Sequence, residues 1–457
     1  MLGSVILRTV HGCQLAIATV SQCNRCCTGT KQLAKLLSSA ATGGWCQPAM
    51  RFSQQLPGFE PRRLLLLTKI TRLEYERSLN PHLSEEKLKD HLKRKGSDYD
   101  NLLLHHNIHH GTLNSLVAHL QQRGIDCQVV SRNMYTLAAI NWADAVVSAG
   151  GDGTFLLAAS RIKSATKPLI GVNTDPGKSE GYLCVPTSRT APDAIDALLA
   201  GRFRWLWRQR IRVSMSTGLP SSSQSSADSP ADGASRLQSL HLKYPEYRFS
   251  EHYKELEEAW LRRQPMLQCQ EHELSPLPVL ALNEVFIGES LSARVSYYEM
   301  GLGREGRMRK QKSSGVTVCT GTGSTSWYFH INHLSESQVE EILHYANQLA
   351  DSPDGSGSRS RRYTPAEIAS IARNYNSALT FDPELIRMAW AVRDPVVNSV
   401  FAADQCRGVT DLIRVRSRMW DARLVIDGDY AFSFNDGCVA LLEMRPEDAI
   451  CCVRLLD

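Results

Sequence analysis

The chain has 457 residues, 42% hydrophobic and 22% charged, enough for two or three domains with a sizeable core. No unbroken aliphatic run is longer than Leu64 to Leu67, far short of the ~20 residues of a membrane span, so no membrane helix is predicted. From Met1 to Phe59 there is no acid, against five bases (Arg8, Arg25, Lys31, Lys35, Arg51); without them 47 basic residues face 47 acidic ones, so the +5 formal charge belongs to the leader and the remainder shows no nucleic-acid footprint.

The leader is rich in Ser, Thr, Ala and Gln, and Lys31-Gln-Leu-Ala-Lys35-Leu-Leu can coil into a basic amphipathic helix. That is the signature of a mitochondrial transit peptide, with removal expected between Trp45 and Gln55. Cys23-Asn-Arg-Cys26 has zinc or redox spacing, but no second pair follows at a matching distance and no site is assigned to it. Of the thirteen cysteines, the eight beyond the leader are scattered, except for Cys451-Cys452, and expected as buried thiols in a reducing matrix.

Arg62 to Ile70 reads as a buried strand, and Leu83 to Lys95 as a solvated helix projecting from the core. His105, His106, His109 and His110 precede a helix predicted from Thr112 to Arg123 and read as surface histidines, so no metal ligand is assigned. Asp126–Val130 and Ala143–Ser148 are further strands. The last runs into Gly150-Gly151-Asp152-Gly153-Thr154 and a helical Phe155–Ser160. Strand, glycine turn and helix together aim backbone N–H groups at a phosphate. A carboxylate repels phosphate, so Asp152 fits a role in taking a proton from an attacking hydroxyl or in facing a metal ion. Its bland alternative is a helix N-cap.

Pro168–Asn173 is a fourth strand, whose following loop ends beside the glycine turn if both strands share one sheet. Ala191–Ala200 is a helix closed by Gly201. From Phe203 to Val213 bulky and basic residues alternate, as half-buried antiparallel strands do. Pro220–Ser235 is a loop without apolar periodicity. In the strand Val279–Ile287, Asn283 and Glu284 point to opposite faces unless a bulge turns one or the strand ends there. A strand, Val316–Cys319, leads into Thr320-Gly-Thr-Gly-Ser-Thr-Ser-Trp327, where hydroxyls can bond a ribose or phosphate and Trp327 offers a stacking face; a Gly/Thr-rich hairpin is the alternative. Ser335–Ala350 and Thr364–Ala378 form a helical insertion before short strands return, with Asp427-Gly428 as their best hairpin turn.

The expected organisation is a leader (1–58), an α/β domain with an open, mostly parallel sheet (59–202), and a mostly-β nucleotide-binding domain (203–457). The second domain carries a disordered loop near 217–238, a helical insertion near 333–380, and last residues free to return to the first domain.

Gly150-Gly-Asp-Gly-Thr154, Asn283-Glu284 and Thr320-Gly-Thr-Gly-Ser-Thr325, in this order, resemble the NAD kinase family and its mitochondrial branch in animals. Gly171-Val-Asn-Thr-Asp-Pro176, Ala281 to Ser290 and Lys310 to Gly315 fit the same branch. The resemblance implies an NAD kinase/diacylglycerol kinase-like fold, homodimers, and Mg²⁺-dependent phosphorylation of the adenosine ribose 2′-hydroxyl of NAD by ATP, or by polyphosphate in some members. It casts Asp152 as the catalytic acid/base, Gly150, Gly151, Gly153 and Thr154 as phosphate-binding, and Asn283, Glu284, Thr322, Thr325 and Ser326 as NAD-binding. The chain departs from the family with Ser314-Gly315 for Asp-Gly and with Thr325-Ser326-Trp327 for Thr-Ala-Tyr, and its loop after Asn173 is longer than in bacterial members. Other readings are a lipid kinase of the diacylglycerol or sphingosine type, which shares the first turn but calls for a membrane-docking surface, and an inactive NAD-binding sensor, against which intact Asp152 argues.

Overall fold

The computed structural model describes residues 58–186, 189–216, 274–304, 306–350, 362–397 and 405–456. The basic leader with its Cys23-Asn-Arg-Cys26, the loop near 217–238 and nearly all of the break between the insertion helices lie outside them.

The first half alternates strand and helix: β1 (Arg63–Thr68), α1 (Arg72–Leu79), α2 (Glu85–Arg94), α3 (Tyr99–Gln122), β2 (Asp126–Val130), α4 (Leu137–Trp142), β3 (Ala145–Ala149), α5 (Asp152–Arg161), β4 (Leu169–Val172) and α6 (Ala191–Leu199). Strands β2, β1, β3 and β4 lie side by side, all parallel. Because β1 is central, Leu64 to Leu67 are sealed from solvent on both faces. Leu64 and Leu66 pack with Leu113, Leu116 and Leu120 of α3 and Ile195 and Leu198 of α6. Leu65 and Leu67 pack with Ile140 of α4 and Phe155 and Leu157 of α5. An apolar run four residues long, rather than an alternating one, is what a strand covered on both faces requires.

The second half comprises β5 (Phe203–Arg208), β6 (Ile211–Ser216), β7 (Ser275–Pro276), β8 (Glu284–Glu289), β9 (Ser296–Leu302), β10 (Arg309–Ser313) and β11 (Gly315–Cys319). Then come α7 (Trp327–Asn332), α8 (Glu336–Ala350), α9 (Pro365–Ser377), β12 (Met388–Arg393), β13 (Arg407–Thr410), β14 (Leu412–Ser417), β15 (Ala422–Ile426), β16 (Tyr430–Ser433), β17 (Val439–Met444) and β18 (Ile450–Leu455). Two sheets, β10-β9-β14-β17-β6-β7 and β13-β12-β11-β8-β15-β16, share one core. Alternate residues such as Val213, Met300 and Leu442 from one sheet, and Val285, Val318, Trp390 and Leu424 from the other, fill it. The β15–β16 hairpin turns at Asp427 (φ 50°) and Gly428 (φ 72°), the two successive positive φ values of a type I′ turn, as the Asp-Gly pair predicts.

Three expectations need correction. Strand β5 pairs with β18, and β18 with β4, so Phe203–Arg208 completes the first sheet and the division between halves falls after Arg208, not before Phe203. The strand is antiparallel, as its alternation predicts, but its Phe203 and Trp205 pack on Phe59 and the helical layer of the first half. Helix α2 does not project: its charged composition hides Leu88 and Leu92, four apart and both buried against the body. The four histidines do not precede a helix but lie inside α3, and His109 is fully buried. Gly111 is accommodated within the helix.

The two halves are riveted at the end of α5. Arg210 is buried; its Nη1 donates to the carbonyls of Ala159 (3.0 Å) and Ile162 (2.8 Å) and its Nε to that of Asp448 (2.6 Å). A guanidinium there satisfies carbonyls that the helix end leaves without partners. Tyr430 of the sandwich meets Ser160 at 2.8 Å.

Candidate active site

Helix α5 begins directly after Gly150 and Gly151, with Gly151 as its N-cap and Asp152 as its first residue. The turn packs closely: a Cβ on Gly150 would collide with the Thr154 side chain, and one on Gly151 with Ser179. Gly153 faces open space, so packing alone does not demand glycine there. Asp152 is not an N-cap. Its Oδ1 accepts the Leu183 N–H at 2.8 Å and its Oδ2 the Tyr182 N–H at 3.1 Å, both from the loop after β4. That loop lies beside the glycine turn because β3 and β4 are neighbours, with Gly150 N–H donating to the Val172 carbonyl at 2.9 Å. Asn173 staples the loop from within, its Nδ2 donating to Ser179 O at 2.7 Å and its Oδ1 accepting the Asp175 N–H at 3.1 Å.

The strand carrying the Asn-Glu pair begins only at Glu284, so Asn283 is released from strand alternation. The Asp427 carboxylate fixes this boundary, accepting the N–H groups of Leu282 (2.8 Å), Asn283 (2.8 Å) and Glu284 (3.1 Å). From the other side Thr320 N–H donates to Asn283 O (2.9 Å) and Thr320 Oγ1 to Leu282 O (2.5 Å). Asn283 Oδ1 and Glu284 Oε2 are both shielded from water without a hydrogen-bond partner, which is expensive unless a ligand group meets them. Burial and the neighbouring Asp427 push the Glu284 carboxyl up to about 8, while the Ser326 hydroxyl opposes the shift. At neutral pH Glu284 is therefore a protonated acid that can donate a hydrogen bond, for instance to a ribose oxygen.

Linkage makes this observable. The folded-state value of Glu284, about 8, lies above its ordinary 4.5, so its contribution to stability is complete below about pH 4.5 and is lost as pH rises toward 8. Glu284→Gln is expected to flatten the fall in stability of the ligand-free protein between pH 5 and 8, read by urea unfolding at several pH values. An unchanged slope would mean that Glu284 is ionised in the fold.

The Thr320 turn is a single 3₁₀ turn, Gly323–Thr325, between β11 and α7, rather than a hairpin. Thr322 is buried and its hydroxyl receives Arg208 Nη1 at 3.3 Å; Thr325 is exposed, its Oγ1 donating to Thr322 O at 3.3 Å; Ser326 bonds Glu284. Trp327 is 48% exposed and meets Phe286 edge-on. Gly323 is needed for contact, since a Cβ would run into the backbone of Asn283. Gly323→Ala is therefore expected to destabilise by ~1–3 kcal/mol, as overpacking does, and to weaken NAD binding; thermal unfolding and titration check it. Ser314 stands at the opposite end of β11 from this turn, its N–H donating to Arg393 O.

Both motifs meet at the first sheet. Leu282, directly before Asn283, packs in one cluster with Phe155 and Leu157 of α5. The Cys184 thiol feels both sides: burial pushes it up to about 12, Asp152 adding and Arg208 opposing. Arg208, whose Nε is shielded without a partner, thus joins the glycine-turn side to Thr322. A second cation, Lys69, follows β1 at the edge where the glycine turn emerges, its N–H on Ala149 O and its Nζ 3.5 Å from buried Asp175. Sequence reasoning missed Arg208, Lys69 and Asp427. Lys69 had a signal, being the first charge beyond a buried strand on the sheet's carboxyl edge, where sites form.

The sequence model of the family described as the ATP-NAD kinase N-terminal domain matches residues 114–203. The mitochondrial NAD kinase 2 of Xenopus tropicalis is 41% identical over 422 residues, covering 88% of this chain and 92% of that protein. That of Homo sapiens is 40% identical over 403 residues, covering 87% and 85%. With sheet, glycine turn and Asn-Glu pair all in place, the chain belongs to the NAD kinase family.

Proposed function

We infer that the chain makes NADP by transferring the γ-phosphoryl group of ATP to the 2′-hydroxyl of the adenosine ribose of NAD. The observation that carries this reading is Asp152: an acid among three glycines, held by two backbone N–H groups with lone pairs to spare. The ribose oxygen forms the new O–P bond as the bond from γ-phosphorus to the β-bridging oxygen breaks; ADP leaves, and the hydroxyl proton passes to Asp152. Gly150, Gly151, Gly153 and Thr154 offer the phosphate cradle, and Lys69 and Arg208 supply positive charge around it. Asn283 and neutral Glu284 hold the NAD ribose, with Thr325 and Ser326 beside them and Thr322 as a wall behind.

A carboxylate without imidazole or thiolate at the turn suits a hard cation, so Mg²⁺ carried in on ATP fits Asp152. When bound, it spreads and neutralises phosphate charge. The basic leader and the mitochondrial relatives support action in the mitochondrial matrix. Among the described residues no helix is long and apolar enough to cross a membrane. Helix α8, in the insertion, exposes Ile342 and Tyr345 by more than half, which supports a homodimer seated there; sedimentation tests it.

The deciding experiment offers NAD with Mg-ATP, or with polyphosphate, to the full chain and follows NADP. Formation with ATP is expected. NAD binding without product from either donor would favour a sensor, and neither binding nor turnover would direct attention to lipid substrates.

A further inference from the structure

Helix α3 carries four of its five histidines in two rows, with His119 further along on Asp196. His105 and His109 face the loop after β4: His105 Nδ1 stands 3.0 Å from Asp175, and His109 lies between Thr68 Oγ1 (2.9 Å) and Thr174 Oγ1 (2.8 Å). The other two, His106 and His110, are one turn apart on the adjoining face and look across to α1, where Glu74 completes a group. One ligand atom from each of Glu74, His106 and His110 falls within 4.8 Å of the others. We propose that this cluster is a Zn²⁺ site, with two imidazoles and one carboxylate as ligands and water in the fourth position.

The surroundings are already those of a ligand set. His106 spends Nδ1 on Thr71 Oγ1 at 2.9 Å, which fixes the ring and leaves Nε2 for an ion. Glu74 spends Oε2 on the Thr71 N–H at 2.7 Å, which leaves Oε1, 2.9 Å from His110 Nε2. Tetrahedral ligands held ~2.0–2.1 Å from zinc stand roughly 3.3 Å apart, so Glu74 and His110 need part only slightly to admit it. All three side chains are half-buried, open enough for an ion to enter. Two imidazoles select against the Mg²⁺ that accompanies ATP, so the two metals do not compete.

Zinc here would clamp α1 onto α3, and α3 positions Thr174 and Asp175 at the start of the loop that ends on Asp152. Because an ion bound only by the folded chain adds its binding free energy to stability, the effect is read in unfolding.

The test uses the full chain, stripped with a chelator, in buffer containing Mg²⁺. Zn²⁺ is titrated against a chromophoric competitor, and thermal unfolding is followed with and without it. One site is expected whose affinity falls at least ~10-fold in His106→Gln, His110→Gln and Glu74→Gln, with loss of the zinc-induced rise in Tm. Glu74→Gln keeps an oxygen for the Thr71 N–H, which guards against misfolding as the cause. Co²⁺ as a probe separates this set from the leader thiols: visible d–d bands without a thiolate charge-transfer band are expected, and they should disappear in His106→Gln. Zinc affinity and thermal shift unchanged in all three variants, or a cobalt spectrum with thiolate character alone, would overturn the proposal.

Discussion

Asp152→Asn should lower kcat for NADP formation by ~10²–10⁴-fold while leaving the Kd for NAD within a few-fold. A secondary hydroxyl is a poor nucleophile far below its own pKa, so a carboxylate placed to take its proton acts mainly in the transition state. The alternative role for Asp152 is to hold the loop through Tyr182 and Leu183. Asparagine distinguishes the two. Its oxygen can still receive one amide, but its NH₂ opposes the other, so a purely structural role predicts parallel losses in melting temperature, NAD affinity and kcat. A proton-transfer role predicts a collapse of kcat alone. Residual turnover is expected even then, since alignment and the positive charge of Lys69 and Arg208 survive the substitution.

The parts of this molecule that were legible in sequence are those whose physics is local. Leu64 to Leu67 announce a strand buried on both faces, the glycines at 150, 151 and 153 a turn into a helix, and Asp427-Gly428 a type I′ hairpin. Motif order gave the family, and strand adjacency correctly put the loop after Asn173 beside the glycine turn. Partners far apart in sequence were not legible. The aromatic alternation of β5 reads the same whether it faces a sandwich or a helical layer, and only its pairing with β18 decides. Leu88 and Leu92 are outnumbered by charges, although their four-residue spacing already marks a buried stripe. The buried state of His109 depends on Thr68 and Thr174, neither of which any helix period predicts. Asp427 was read as a turn residue, which it is, but nothing in a Asp-Gly pair says that the carboxylate reaches back 143 residues to the Asn-Glu segment.

That reach makes Asp427→Asn the second severe substitution. The native carboxylate receives three N–H groups, from Leu282, Asn283 and Glu284. Burial nonetheless pushes it up to about 6, so it is charged at neutral pH, and that ionisation costs the fold some stability as pH rises from about 4 to 6. Asparagine offers one acceptor oxygen and turns an NH₂ toward the remaining donors, leaving at least one buried N–H without a partner. The expected cost is about 2–4 kcal/mol, read by urea unfolding at pH 7. Backbone strain does not enter, because asparagine tolerates the φ of 50° as well as aspartate does, so the whole loss is assignable to the carboxylate. Since the three amides belong to the segment that aims Asn283 and Glu284, NAD affinity should fall with stability and remain low even under conditions where the variant is fully folded. Stability lost with NAD affinity intact would show that Thr320, bonding Asn283 and Leu282 from the opposite side, suffices to hold the segment in place.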